Sequence, residues 1–256
     1  MKHRAVFLVL LLTSAEITYA NQENRFVLYS NQAKGSAIDA WLTKVYRELY
    51  SEIGKQIEVV SIPEARASIK AETGKIDGQF GRIYEYQDVY PDQIRINVPL
   101  IKITLEAYVR SDSGIRLTSG WDSFRGTKHH VDYRRGVLIC KQNLERVVKP
   151  SNLNTVTYIH QGLLKLKHAR TDVFVQANNG VVPYLRSPEF SNDIVSAGKL
   201  ESVNIYHYVN IKHRDLAPRI EQQLLQLKTS GKIKKYCIEN LGVEQAETCE
   251  SLTDTD

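Results

Sequence analysis

Residues 75–86, KIDGQFGRIYEY, read as a strand leaving a turn, yet they carry Arg82 where a buried strand would carry an aliphatic side chain. Arg82 sits among Phe80, Tyr84 and Tyr86. A guanidinium between flat rings can present a bidentate fork to a carboxylate or phosphate while the rings stack on the rest of a solute. The bland alternative pairs Arg82 with Asp77, Glu85 or Asp88 and pins a loop. Other polar candidates stand at the ends of strand-like segments: Tyr29 and Ser30 after RFVL, Arg110 in AYVRSD, and Asn178 and Asn179 after DVFVQA. Arg134 and Arg135 precede Gly136 at the end of another such segment, where one reaches a ligand and the other stays solvated; Arg135 is taken as the ligand-facing one. Arg110 either contacts ligand or bridges two parts of the chain, and Trp41 belongs to a helix's apolar stripe.

Catalytic and metal chemistry find little support. His129 and His130 are neighbours in a strand-like segment, so their side chains point to opposite faces. His160 and His168 are two helical turns apart, beyond the i, i+4 spacing of a helix-borne metal site. No Gly-x-Ser-x-Gly, phosphate-loop or dinucleotide fingerprint occurs. No metal, cofactor or catalytic residue is therefore expected, and the protein is read as a non-enzyme. Of the three cysteines, Cys237 and Cys249 are expected to pair, leaving Cys140 free and buried in the strand-like GVLICK.

The elements that must position these residues alternate. RFVLYS reads as a strand. AIDAWLTKVYRELYSEI places Ile38, Trp41, Leu42, Val45, Leu49 and Ile53 on one helical stripe, with Ser36 as N-cap and Gly54 beyond its end. IEVVSI is a second strand, and Pro63 opens a short helix, PEARASIKAETG. HHVDYRRGV, TVTYIH and DVFVQA repeat the strand theme around the helix HQGLLKLKH. Two extended segments, 104–112 and 200–211, bracket this second unit, and the remainder is helical, with Leu216, Ile220, Leu224 and Leu227 at helical spacing. Strand–helix alternation implies parallel sheets covered by helices, and two crossings imply one lobe inserted into another.

Composition agrees with a globular chain: 42% hydrophobic, 25% charged, and a net charge of +5 dispersed over 256 residues rather than gathered into a polyanion-binding run. Residues 1–20 combine Lys2 and Arg4, the apolar run Ala5 to Leu12 and small residues near Ala20, the pattern of a secretory signal peptide; the run is far short of the ~20 residues of a membrane span. A soluble periplasmic protein starting near Asn21 is expected, monomeric and without nucleic-acid partners.

Three segments resemble the family-3 extracellular solute-binding proteins, the periplasmic receptors of amino-acid uptake systems: PEARASIKAETGKIDGQFGRI, GLLKLKHARTDVFVQ and YHYVNIKHRDLAPRIEQQLLQLKTSGKIKKY. The resemblance implies an α/β fold of two lobes joined by two crossing hinge strands, with residues 21–108 plus 208–256 in the first lobe and 109–207 in the second. A small solute would be held between them, by closure about the hinge, and presented to a membrane permease of an ABC-type importer or to a sensor protein. The alternatives are a sensory module for a membrane signalling protein and, less favoured, a dehydratase-like enzyme on the same fold. The family's ligand residues do not carry over. The carboxylate-binding arginine falls on Tyr90 and the ammonium-binding aspartate on Ala177. The ligand set is then expected from Arg82, Tyr29, Phe80, Tyr84, Arg110, Arg135 and Asn178.

Overall fold

The computed structural model describes residues 24–255, so the leader-like segment 1–20 lies outside the described residues. The first unit runs β1 (Arg25–Tyr29), α1 (Ala37–Ser51), β2 (Gln56–Val60), α2 (Glu64–Glu72), β3 (Gly78–Arg82), the short α3 (Tyr86–Val89) and the long β4 (Gln93–Arg110). The second runs β5 (Val131–Arg134), α4 (Leu138–Val147), β6 (Leu153–Val156), α5 (Ile159–Lys167), β7 (Val173–Ala177), α6 (Asn178–Leu185) and the long β8 (Ile194–Asn210). Three helices close the chain: α7 (Ala217–Thr229), α8 (Lys232–Leu241) and α9 (Ala246–Thr253).

Among the described residues the eight strands join one sheet in the order β2-β1-β3-β8-β4-β7-β5-β6. β1 pairs in parallel with β2 and β3, and β5 with β6 and β7. β4 and β8 form an antiparallel ribbon through the middle. At one end of the ribbon β8 takes up β3 through Tyr206–Val209; at the other, β4 takes up β7 through Leu105–Tyr108. Two half-sheets with helices on their faces therefore share two crossing strands, which is the two-lobed architecture. Between Arg95 and Ile101 the ribbon changes register twice around Pro99, which has no N–H to give the ladder.

α1 carries the first lobe's core. Ser36 caps it by accepting from the Asp39 N–H at 3.2 Å, and Ile38, Trp41, Leu42, Val45 and Leu49 are buried as their spacing predicts. Tyr46 and Tyr50 join them, because the buried face is wider than the aliphatic stripe. Trp41 is core, donating its indole N–H to the Ile233 carbonyl at 2.9 Å. α8, which supplies that carbonyl, is linked to α9 by the Cys237–Cys249 disulfide, the expected pair.

Two local readings are corrected. Cys140 lies in α4, not in a strand: Ile139, Cys140 and Leu144 form one buried helical face. Its thiol is free and buried as expected, and burial pushes its pKa far up. TVTYIH divides, with β6 ending at Val156 and Ile159 opening α5, because Ile159, Leu163 and Leu166 repeat at helical spacing.

Candidate functional site

β3 ends on Arg82, at the carboxyl edge of a half-sheet where such folds gather ligand groups. The residue is buried, only 5% exposed. Its Nη1 donates to Glu64 Oε1 at 2.8 Å and its Nε to Gln79 Oε1 at 3.0 Å. The rings of Tyr29 and Tyr86 flank the guanidinium, with centroids 5.0 and 5.2 Å away. Burial opposes the charge on Arg82, but the Glu64 carboxylate more than offsets it and holds the group protonated well above its ordinary range. Burial and then Glu64 push the Tyr29 phenol in the same direction.

Glu64, the first residue of α2, is the pivot. Its second carboxylate oxygen accepts from Arg134 Nη2, and Arg134 Nη1 donates to the Asn31 carbonyl at 3.3 Å. Glu64, Arg82 and Asn31 belong to the first lobe, whereas Arg134 ends β5 in the second. The ion pair spans the cleft. The backbones meet beside it, since a Cβ on Gly136 would lie 2.5 Å from the Ala65 nitrogen.

Two adjoining cavities, with Glu64, Arg134 and Asn179 in the walls of both, occupy this cleft. The deeper, of about 90 Å3, is lined by Glu64, Phe80, Arg82, Tyr86, Arg134 and Asn179 and by an aliphatic wall from the hinge strands and α4. The outer, of about 490 Å3, opens past Tyr29, Gln32, Lys34, Tyr158 and Tyr184. Ala177, where the family resemblance would place an aspartate, lines the deeper cavity. Among the residues lining either cavity, Glu64 is the single acid, and Arg82, Arg134 and Lys34 are the bases.

Of the expected ligand set, the structure brings Arg82, Tyr29 and Phe80 to the cleft. It takes the other four away. The strand ends at Arg82, so Tyr84 does not share its face; it is 51% exposed, with the Arg95 guanidinium 3.4 Å above its ring. Arg110 ends β4 at the outer end of the ribbon and pairs with Asp112 at 3.2 Å. Arg135 folds back on β6, donating to Thr155 Oγ1 at 3.1 Å, so its neighbour Arg134 is the cleft residue. Asn178 turns its Oδ1 to the Asn179 N–H at 2.7 Å, and Asn179 lines both cavities. None of Asp77, Glu85 and Asp88 pairs with Arg82: the partner is Glu64, and Asp77 instead joins Lys212 and His213. Gly78 and Gly81 admit Tyr208 and Ile205 of β8 closely, so they serve packing of the ribbon more than a ligand.

Sequence reasoning missed Glu64. Its position after Pro63 already has a sufficient explanation, since an acid in a helix's first turn complements the helix dipole. Gln79 was missed because a strand glutamine gives no sign of which face it takes.

No family model matches the chain. An uncharacterized protein of Shewanella oneidensis is 29% identical over 197 residues, covering 77% of this chain and 74% of that one. Among solved structures, a histidine kinase sensor domain similar to periplasmic binding proteins superposes with a TM-score of 0.71 at 16% identity, covering 85% of this chain and 96% of that one. The amino-acid ABC-transporter substrate-binding protein AbpA of Streptococcus pneumoniae, bound to L-arginine, gives 0.67 at 12% identity over 86% and 95%. The substrate-binding proteins among these neighbours are of the family-3 type, and the chain has the two-lobed fold they share with the sensor domain.

Proposed function

We propose that this protein is a periplasmic solute-binding receptor that captures a small polar solute between its lobes and presents it to the permease of an ABC-type importer. One observation carries the reading: charged side chains from both lobes, Glu64 and Arg82 on one side and Arg134 on the other, converge in a cleft at the strand ends. A solute bound there touches both lobes, so it favours the closed form by contacts that only this form makes. The solved structures described above are a substrate-binding protein and a sensor domain, which supports a binding role for the cleft. Among the described residues no helix is long and apolar enough to cross a membrane.

Similarity to a histidine kinase sensor domain supports a second reading, in which the same closure signals to a membrane protein. Neighbouring genes for a permease and an ATPase favour transport; a neighbouring kinase gene favours signalling.

The receptor reading is tested by thermal unfolding against amino acids, organic acids, polyamines, sugars and phosphorylated metabolites. A ligand at ~100 times its dissociation constant adds roughly 2.7 kcal/mol, a readable rise in midpoint. Silence of a folded protein across the whole panel counts against the receptor and leaves the protein-partnered sensor.

A further inference from the structure

The polar groups of the deeper cavity do not balance. Two arginines converge on one carboxylate, and each engages a different oxygen of it. Both Glu64 oxygens are thus committed, and one positive charge is left over in a site where Arg82 is only 5% exposed. Two of the donors are also unsatisfied. Arg82 Nη2 and Arg134 Nε are buried and have no hydrogen-bond partner among the described residues. A buried N–H of a charged group without an acceptor is costly, and few survive in folded proteins without a role. These two belong to side chains that come from opposite lobes and line the same cavity.

The rest of that cavity is hydrocarbon. Leu100, Ile103 and Leu105 of β4, Ile205 of β8 and Ile139 of α4 form its wall. Its volume of about 90 Å3 holds several water-sized groups, at roughly 10–15 Å3 each. An ammonium has no place in it, because the single carboxylate is taken twice over and an added cation would face two guanidiniums across a low-dielectric space.

Resting on the receptor reading above, we propose that the cleft takes a small organic monoanion with a hydrocarbon body and no cationic group. Its carboxylate oxygens accept from Arg82 Nη2 and Arg134 Nε, and its body lies against the aliphatic wall of the hinge. Such a ligand supplies the acceptors the arginines lack and neutralises the surplus charge. By joining an arginine from each lobe, it also ties capture to closure. α-Amino acids fit worse than the corresponding deaminated acids.

The test is calorimetric titration of the purified protein with 3-methylbutanoate, hexanoate and benzoate, each beside its neutral amide, and with leucine as the zwitterion. At least one carboxylate is expected to bind about 10- to 100-fold tighter than its amide and than leucine, the span expected for hydrogen bonds to a charged group. Arg134→Lys keeps the charge but removes Nε, and is expected to lose about tenfold for that carboxylate and distinctly less for its amide, whose carbonyl makes only a neutral hydrogen bond there. If the variant fails to fold, the carboxylate-to-amide ratio of the unaltered protein still decides. Tighter binding of leucine, or equal binding of acid and amide, overturns the ligand class and leaves the receptor standing. Failure of every carboxylate overturns the class as well; a hit among sugars, polyamines or nucleotides then preserves the receptor, and silence there removes both.

Discussion

At the scale of single residues, the site rests on a buried charge cluster whose members fail differently when removed. Glu64→Gln leaves two guanidiniums facing each other without their carboxylate, and removal of one partner from a buried ion pair typically loses 3–5 kcal/mol. A loss of about 3 kcal/mol is expected here, a midpoint drop of roughly 6–12 °C for a chain of this size; an unchanged melting curve would show that the cluster is not held as a unit. A second buried group sets an acid limit. His207 of β8 is fully buried against α1 and β3, where its ring nitrogens meet the Tyr50 hydroxyl and the Gln79 carbonyl, each at 2.8 Å. Burial lowers its pKa to about 4. Unfolded, the ring titrates near 6.5, so between these values the unfolded chain binds a proton that the folded chain refuses. The stabilisation is complete above about 6.5 and is lost as the pH falls toward about 4, amounting to about 3 kcal/mol. Denaturant midpoints measured from pH 7 to pH 4 should therefore decline, and His207→Gln should flatten the decline. Asp77 does not confuse the result: although burial alone would raise it, bonds from His213 and Lys212 hold it down at about 2, so its window lies below that of His207.

Between residues and the whole stand the elements, and here legibility in the sequence divides by period. Helices with a long apolar stripe, α1 and α7, were readable because six or four large side chains repeat at the helical spacing; the β-α alternation and the two crossing segments followed from the same kind of count. Elements whose burial is shared among few residues were not. α4 hid inside GVLICK because a short apolar run fits strand and helix alike, and α6 hid because Asn178, Gly180 and Pro183 look like a turn. The site inherited both limits. Arg82 was legible as the end of a strand, but the choice between Arg134 and Arg135 at a strand end turns on which face each takes, and that between Asn178 and Asn179 on about 100° of helical rotation, which no composition records. The C-terminal elements supply a test of their own. α9 follows the disulfide to the back of the hinge ribbon, where the Asn204 Nδ2 donates to the Thr255 carbonyl at 3.0 Å. Replacing Cys237 and Cys249 together by serine should remove about 3 kcal/mol, the loop-closure value for a link of such short separation. Amide exchange should accelerate first in residues 246–253, with β5 unaffected. Uniform acceleration would mean that the link supports the whole lobe rather than this helix.

For the whole molecule, the question is what holds the lobes together before a solute arrives. Beside the cavities they touch through Arg134, which reaches the Glu64 carboxylate and the Asn31 carbonyl, and through the backbone contact of Gly136 with Ala65. The second can be probed without touching a charge. Gly136 has φ +97°, and a Cβ there would press on backbone that cannot yield as a flexible side chain would. Gly136→Ala therefore carries two penalties, a local one for the left-handed backbone and a second that exists only when the lobes are closed. Gly126→Ala separates them, because Gly126 has φ +71° and open space around the added carbon. Both variants should lose some stability, but only Gly136→Ala should shift the population toward an open form, visible as a larger radius of gyration in solution scattering. Ligand affinity falls by the fraction of closed-competent molecules, so a change from an even balance to about one closed in twenty weakens binding about tenfold, with the charged side chains of the cleft unchanged. If the two variants scatter and bind alike, the Gly136 contact does not govern closure, and the ion pair or the hinge ribbon must set the balance instead.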